Sequence, residues 1–119
     1  MLKAENIDPF TTDGCSVFPD GTFEQNELWL PCCLAHDYAY WQGGTYDERR
    51  IADQQLYQCV VETGNFGIAN IMLVGVRLGG SPLFLTPFRW GYGWSYSRGY
   101  KALTEDEKQQ IKSLKNEHL

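Results

Sequence analysis

Cys32 and Cys33 stand side by side in the segment PCCLAHDYAYW. On a helix, neighbouring side chains diverge by about 100°, so two adjacent cysteines point to different parts of the molecule. Two more cysteines, Cys15 and Cys59, lie before and after them. Four cysteines in 119 residues fit two disulfides, drawn from three possible pairings. A chain of this size forms one small domain, and staples of this kind are common where the core is limited. Disulfides place the chain outside the cytosol, and a secreted or periplasmic location is expected. The start, MLKAENIDPF, has no apolar stretch of signal-peptide type and reads as a mature form with an added Met. The longest apolar run, near Ile68–Val76, is too short to span a bilayer.

Punctuation along the chain divides it into helices. Asp13-Gly14, Pro19 and Asp20-Gly21 mark an irregular first quarter. Pro31 suits a first helical turn, and Gly43-Gly44 ends a helix over 31–41. Thr45 and Glu48 form a capping box that opens a second helix from Tyr46 to Glu62, with Gly64 as its stop. Ile68, Ile71, Met72 and Val76 recur at helical spacing, which predicts a third helix from Phe66 to Leu78. Thr104 with Glu107 opens a short polar helix through Lys115, where Ile111 and Leu114 offer a docking face. Between these, FRWGYGWSYSRGY alternates aromatics with glycine and serine, and an ordered loop or short hairpin is expected. The class is mainly α.

Antiparallel packing of the first two helices across the Gly43-Gly44 turn brings three pairs together. Facing positions then keep a nearly constant sum of residue numbers, which matches Cys32 with Cys59, His36 with Asp53, and Ala39 with Ala52. Cys33 is left for Cys15, so the expected disulfides are Cys32–Cys59 and Cys15–Cys33. A histidine whose Nδ1–H is held by a buried carboxylate has a fixed tautomer, and its other nitrogen can accept a proton from water near neutral pH. Asp37 points elsewhere on the helix, towards the loop DGCSVFPDG. A carboxylate beside loop carbonyls suits a hard cation such as Ca²⁺, which polarises an ester carbonyl.

These residues resemble the secreted phospholipase A2 superfamily, whose active-site helix reads C-C-x-x-H-D-x-C-Y. Cys32, Cys33, His36, Asp37 and Tyr40 match it, with Ala39 in place of the last cysteine. Asp53 and Cys59 match the aspartate and cysteine of the family's second helix. The family bonds the cysteine at the Ala39 position to one at the Ala52 position, so both partners of that disulfide are absent together. The D-G-C-S of Asp13–Ser16 looks like the calcium-loop start of bacterial members. The resemblance covers about residues 13 to 59 and implies a single phospholipase A2-like domain over 1–119. Its two antiparallel helices are disulfide-linked, its N-terminal segment is calcium-loop-like, and extra helices follow. By the same resemblance, His36 activates water, Asp53 orients His36, and Tyr40 bonds to Asp53. Asp37 binds Ca²⁺ together with backbone carbonyls of Gly14, Ser16 and Phe18. The implied reaction is Ca²⁺-dependent hydrolysis of the sn-2 ester of phospholipids at a membrane surface. The family's loop is glycine-rich after its cysteine. Here it reads SVFPDG, which brings in Asp13 or Asp20 as an alternative carboxylate donor. The family's entry helix is missing, so the third helix and the aromatic segment are expected to build the substrate channel.

Other readings of the same residues remain. A non-catalytic binding module of this fold, or an esterase acting on another lipid, is compatible with the frame. Cys15, Cys32, Cys33, His36 and Cys59 are chemically able to bind zinc, although no C-x-x-C pair occurs. Asp53 has a plainer role as a salt-bridge partner of Arg49 or Arg50. Trp90, Trp94 and Tyr96 serve either as core packing, the simpler role, or at a lipid interface. Arg89 and Arg98 among these rings suit single-stranded nucleic acid, but a net charge of −5 argues against nucleic-acid partners.

Overall fold

The computed structural model of the protein describes residues 6–15, 18, 20–22, 24–83, 86 and 88–118. The described residues form four α-helices, α1 (Leu30–Gln42), α2 (Tyr46–Glu62), α3 (Phe66–Gly79) and α4 (Glu105–His118), with a 3₁₀ turn at Tyr96–Arg98. The described residues contain no strand, so the aromatic stretch is an ordered loop with a 3₁₀ turn and not a hairpin. None of these helices is long and apolar enough to cross a membrane.

The helix ends follow local chemistry. Thr45 Oγ1 accepts from the Glu48 amide while the Glu48 carboxylate accepts from the Thr45 amide, closing the box that starts α2. Thr104 and Glu107 do the same for α4, which runs about a turn beyond the expected Lys115. Gly43, at φ +70°, stops α1.

Helix α2 packs against both α1 and α3. The α1–α2 pair is antiparallel, and two disulfides staple it: Cys32–Cys59 joins the helices, and Cys15–Cys33 ties the N-terminal loop to α1. The pairing matches that expected from helix geometry. One core cluster surrounds the staples, with Trp29, Leu56, Val60, Ala69 and Met72 buried beside the cysteines. A second joins Ile7, Trp41, Trp94 and Ile111, and so docks α4 onto the end of α1. A third holds Tyr40, Ala52 and Trp90.

The aromatic loop caps α1. A helix leaves its last four carbonyls without helical partners. Here Ala39 O accepts from the Gly43 amide, Tyr40 O from the Gly91 amide, Trp41 O from the Gly93 amide and Gln42 O from the Trp94 indole. A Cβ at Gly93 would stand 2.6 Å from Trp41 Cδ1, so glycine is what lets this backbone approach so closely. Trp90 and Trp94 are both 2 % exposed and are core residues, which removes them from a lipid interface. Arg89 donates to the Trp94 carbonyl, and Arg98 pairs with Glu107, so both cations make contacts within the fold.

Candidate functional site

Two α1 residues project towards α2 and α3. His36 is 8 % exposed and Tyr40 2 %, both one turn apart on one face. Across from them, α2 presents Asp53, which is 1 % exposed. His36 Nε2 lies 2.8 Å from Asp53 Oδ1, and Tyr40 Oη donates to the same oxygen at 2.7 Å. The His36 and Tyr40 rings lie 4.3 Å apart, and Tyr40 in turn meets Trp90 edge-on.

Burial alone would push the Asp53 carboxyl up. Hydrogen bonds from His36, Tyr40 and Arg77, with the charge of His36, outweigh it and hold Asp53 below the usual carboxylate range. Asp53 is therefore ionised and acceptor-only, so the proton of the His36 ring sits on Nε2. This corrects the expected ring orientation, in which Nδ1 faced the carboxylate. The physical reason is reach: Nε2 is the nitrogen farthest from the α1 backbone, and packed helix axes stand roughly 8–10 Å apart. Nδ1 is the nitrogen left for a substrate or water.

The His36 ring lines an apolar cavity of about 180 Å³. Its walls include Leu56 of α2 and Met72, Gly75 and Val76 of α3, closed by Phe18 and Phe88. Asp37 and Gly14 reach the same space. A second, more polar cavity lies beside it and shares Asp37 and Phe88; Thr11, Thr12, Asp13 and Tyr92 complete it. Asp37 thus stands where an apolar chamber meets a polar vestibule.

Asp37 differs sharply from Asp53. Its carboxyl is raised to about 6, chiefly by burial, with the nearby Asp13 charge adding to the rise. The Thr12 hydroxyl donates to Asp37 Oδ2 at 2.6 Å and opposes that rise. Burial, together with the Asp37 and Asp13 charges, also raises the Tyr92 phenol.

The loop before α1 is organised by Asp20. Its Oδ1 accepts from the Cys15 amide at 3.0 Å, and its carbonyl accepts from the Trp29 amide at 3.0 Å. Gly14, at φ +70°, packs so tightly on Asp20 that a Cβ would meet its Oδ1 at 2.8 Å. Asp20 therefore shapes the loop, and Asp13 is the second carboxylate near Asp37. Phe18 places its ring over Gly75 as a cavity wall. Ser16 lies outside the described residues.

Towards a hard cation the described residues offer two neighbouring carboxylates, a desolvated one at Asp37 and a second at Asp13. Among the described residues no group of three or more His, Cys, Asp or Glu side chains is arranged to hold a metal, so backbone oxygens have to complete such a set. Zinc is a poor fit, because all four cysteines are consumed in disulfides.

Arg49 and Arg77 complete the surroundings of Asp53. Arg77 Nη1 lies 3.0 Å and Arg49 Nε 3.9 Å from Oδ2, while Arg50 is exposed. Arg49 was readable as the residue one turn before Asp53. Arg77 was readable as the one charge in the apolar α3. Thr12 and Tyr92 carry no such signal, because loop contacts set their positions. Comparison with protein-family models, curated protein sequences and solved structures finds no match.

Proposed function

We propose that this chain is a secreted or periplasmic, phospholipase A2-like carboxylic ester hydrolase that cleaves the sn-2 ester of phospholipids. One observation carries the reading: a buried His36–Asp53 pair, tautomerically fixed, borders an apolar cavity with Asp37 at its polar edge. In this reading, Nδ1 of His36 takes a proton from water as that water attacks the ester carbonyl. Asp53 holds the ring and stabilises its positive charge, while Tyr40 fixes Asp53. The proton then passes from Nδ1 to the departing alcohol oxygen, which returns His36 to its starting state. The cavity takes apolar chain and excludes water around the reacting carbonyl. Asp37 and Asp13 would hold Ca²⁺, which would supply positive charge for the developing oxyanion.

A peripheral membrane position agrees with the surface of α3. Phe66, Ile71, Val74 and Leu78 are exposed on the helix that walls the cavity, with Leu83 exposed just after it. The test is fatty-acid release from phosphatidylcholine vesicles by wild type and His36→Ala, each with Ca²⁺ or with chelator. Release is expected from wild type with Ca²⁺, and its loss in His36→Ala should be roughly 10²–10⁴-fold. Equal behaviour in all four conditions removes the hydrolase and leaves a binding module with an apolar cavity.

A further inference from the structure

The two carboxylate oxygens of Asp53 are held from different sides. Oδ1 accepts from His36 and Tyr40, both on α1. Oδ2 accepts from Arg77 Nη1 at 3.0 Å, and Arg77 belongs to α3. Two donors converging on one oxygen leave the carboxylate free to turn about its Cβ–Cγ bond. A donor on the other oxygen fixes the plane. With Asp53 1 % exposed and the Arg77 side chain 31 % exposed, Arg77 is the group that stands between Oδ2 and solvent.

Arg49 cannot take over the role. Its Nε donates to Tyr40 Oη at 2.9 Å and Nη1 to Tyr100 Oη at 2.6 Å. Its Nη2 donates to the Val76 and Arg77 carbonyls at 2.8 and 2.9 Å. This buried guanidinium is committed to the last turn of α3 and stands 3.9 Å from Oδ2. Arg77 also donates to Tyr46 Oη at 2.7 Å, so its fork spans Asp53 and Tyr46. Neither disulfide reaches α3, yet α3 supplies Met72, Gly75 and Val76 to the cavity wall. The Arg49–Arg77 pair is thus a polar tie between that wall and the carboxylate behind His36.

We propose that Arg77 is a positioning residue: it fixes the Asp53 carboxylate plane, keeps Oδ1 on His36, and sets the α3 wall and the histidine in one register. Its kinetic consequence rests on the hydrolase reading; its structural consequence does not. Without Arg77, Oδ2 loses its guanidinium donor, and the Asp53 carboxylate is free to turn about Cβ–Cγ, drawing Oδ1 away from His36.

The experiment follows the imidazole nitrogens of His36 by ¹⁵N NMR at pH 8 in wild type, Arg77→Gln and Arg77→Lys. It is paired with thermal melting and with kcat and KM on phosphatidylcholine. Wild type is expected to show the Nε2–H tautomer alone. Arg77→Gln should show a tautomer mixture, with kcat down roughly tenfold or more and KM changed far less. Arg77→Lys keeps the charge but loses the fork and should fall between them. A folded Arg77→Gln that keeps the pure Nε2–H tautomer overturns the proposal. If that variant does not fold, a pure Nε2–H tautomer in Arg77→Lys overturns it instead. A rise in KM with kcat unchanged also contradicts it, because Arg77 would then hold only the wall. Should wild type release no fatty acid, the hydrolase reading falls while the tautomer measurement still decides the role of Arg77.

Discussion

The α1–α2 pair and the aromatic loop over 88–100 hold the same histidine helix from opposite ends, by different means. The pair uses covalent staples and faces repeated at helical spacing, with Cys32–Cys59 at one end and Asp53 in the middle. The aromatic loop has no covalent link to α1. It uses directional bonds to bare carbonyls: the Trp90 indole donates to Gly44 O at 2.9 Å and the Trp94 indole to Gln42 O at 2.7 Å. Arg98 then lies 4.6 Å from the centre of the Trp94 ring and pairs with Glu107, which joins this loop to α4. Covalent closure acts on the unfolded chain by limiting its conformations. A cap of indoles acts on the folded chain, through area buried and acceptors satisfied.

The largest test of that difference sets Trp94→Ala against the double variant Cys32→Ala/Cys59→Ala. Removing Trp94 empties a buried volume, exposes the Gln42 carbonyl and takes the platform from Arg98, at a cost of about 3–5 kcal/mol. Removing the staple costs about 3 kcal/mol. Guanidinium unfolding monitored by circular dichroism gives both values. A Trp94→Ala loss well below that of the staple variant would mean that the loop merely covers α1.

The two regions also differ in how far a reader of the sequence can follow them. The staples, the His36–Asp53 pair and Tyr40 all follow from one helical period and one turn length, so a single packing hypothesis places them together. The capping boxes at Thr45 and Thr104 are equally local. The cap of α1 is not: Gly93 meets Trp41 because chain far apart in sequence closes over the helix end, and no periodicity records that. Trp90 and Trp94 read from composition as core residues first, with a lipid interface as the alternative. At the site, Asp37 was legible as a carboxylate on a separate face. Asp13 was legible as an alternative donor beside it, whereas Thr12 and Tyr92, from two loops, were not. The Arg77 contact needs the crossing of α3 over α2, which spacing within α3 alone does not give.

Acid should loosen the aromatic end through Glu107. The Arg98 hydrogen bond, ahead of opposing burial and the Thr104 contacts, holds the Glu107 carboxyl down at about 2 instead of 4.5. A depressed carboxylate stabilises the fold in full above about 4.5, and that stability is lost as pH falls towards about 2. The loss is on the order of 2 kcal/mol. Near-ultraviolet circular dichroism of the buried indoles, followed from pH 5 to 2, should show it, and Glu107→Gln should flatten the response. Asp53 is also held low, so a residual acid dependence remains in the variant. An unchanged acid response in Glu107→Gln would assign the whole effect to Asp53 and the stapled half.

The smallest expected effect separates structure from function at Asp37. Its folded value of about 6 lies above the ordinary 3.8, so the folded chain holds that proton more tightly than the unfolded one. The resulting stability is complete below about 3.8 and is lost as pH rises through about 6. At pH 7.5 the carboxylate is ionised, partly desolvated and close to Asp13, and the Thr12 hydroxyl and the His36 charge offset that only in part. After allowance for solvent screening, this costs the fold about 1 kcal/mol. Asp37→Asn keeps an acceptor for the Thr12 hydroxyl and removes the charge. It should therefore melt at a higher temperature than wild type at pH 7.5 without Ca²⁺, and at the same temperature at pH 4. Ca²⁺ should raise the melting temperature of wild type at pH 7.5, do so weakly at pH 5 where the proton competes, and leave Asp37→Asn unmoved. A variant less stable than wild type at pH 7.5 without Ca²⁺ would make Asp37 a structural carboxylate. A variant that is more stable and blind to Ca²⁺ is what a site that gives up stability for a ligand should produce.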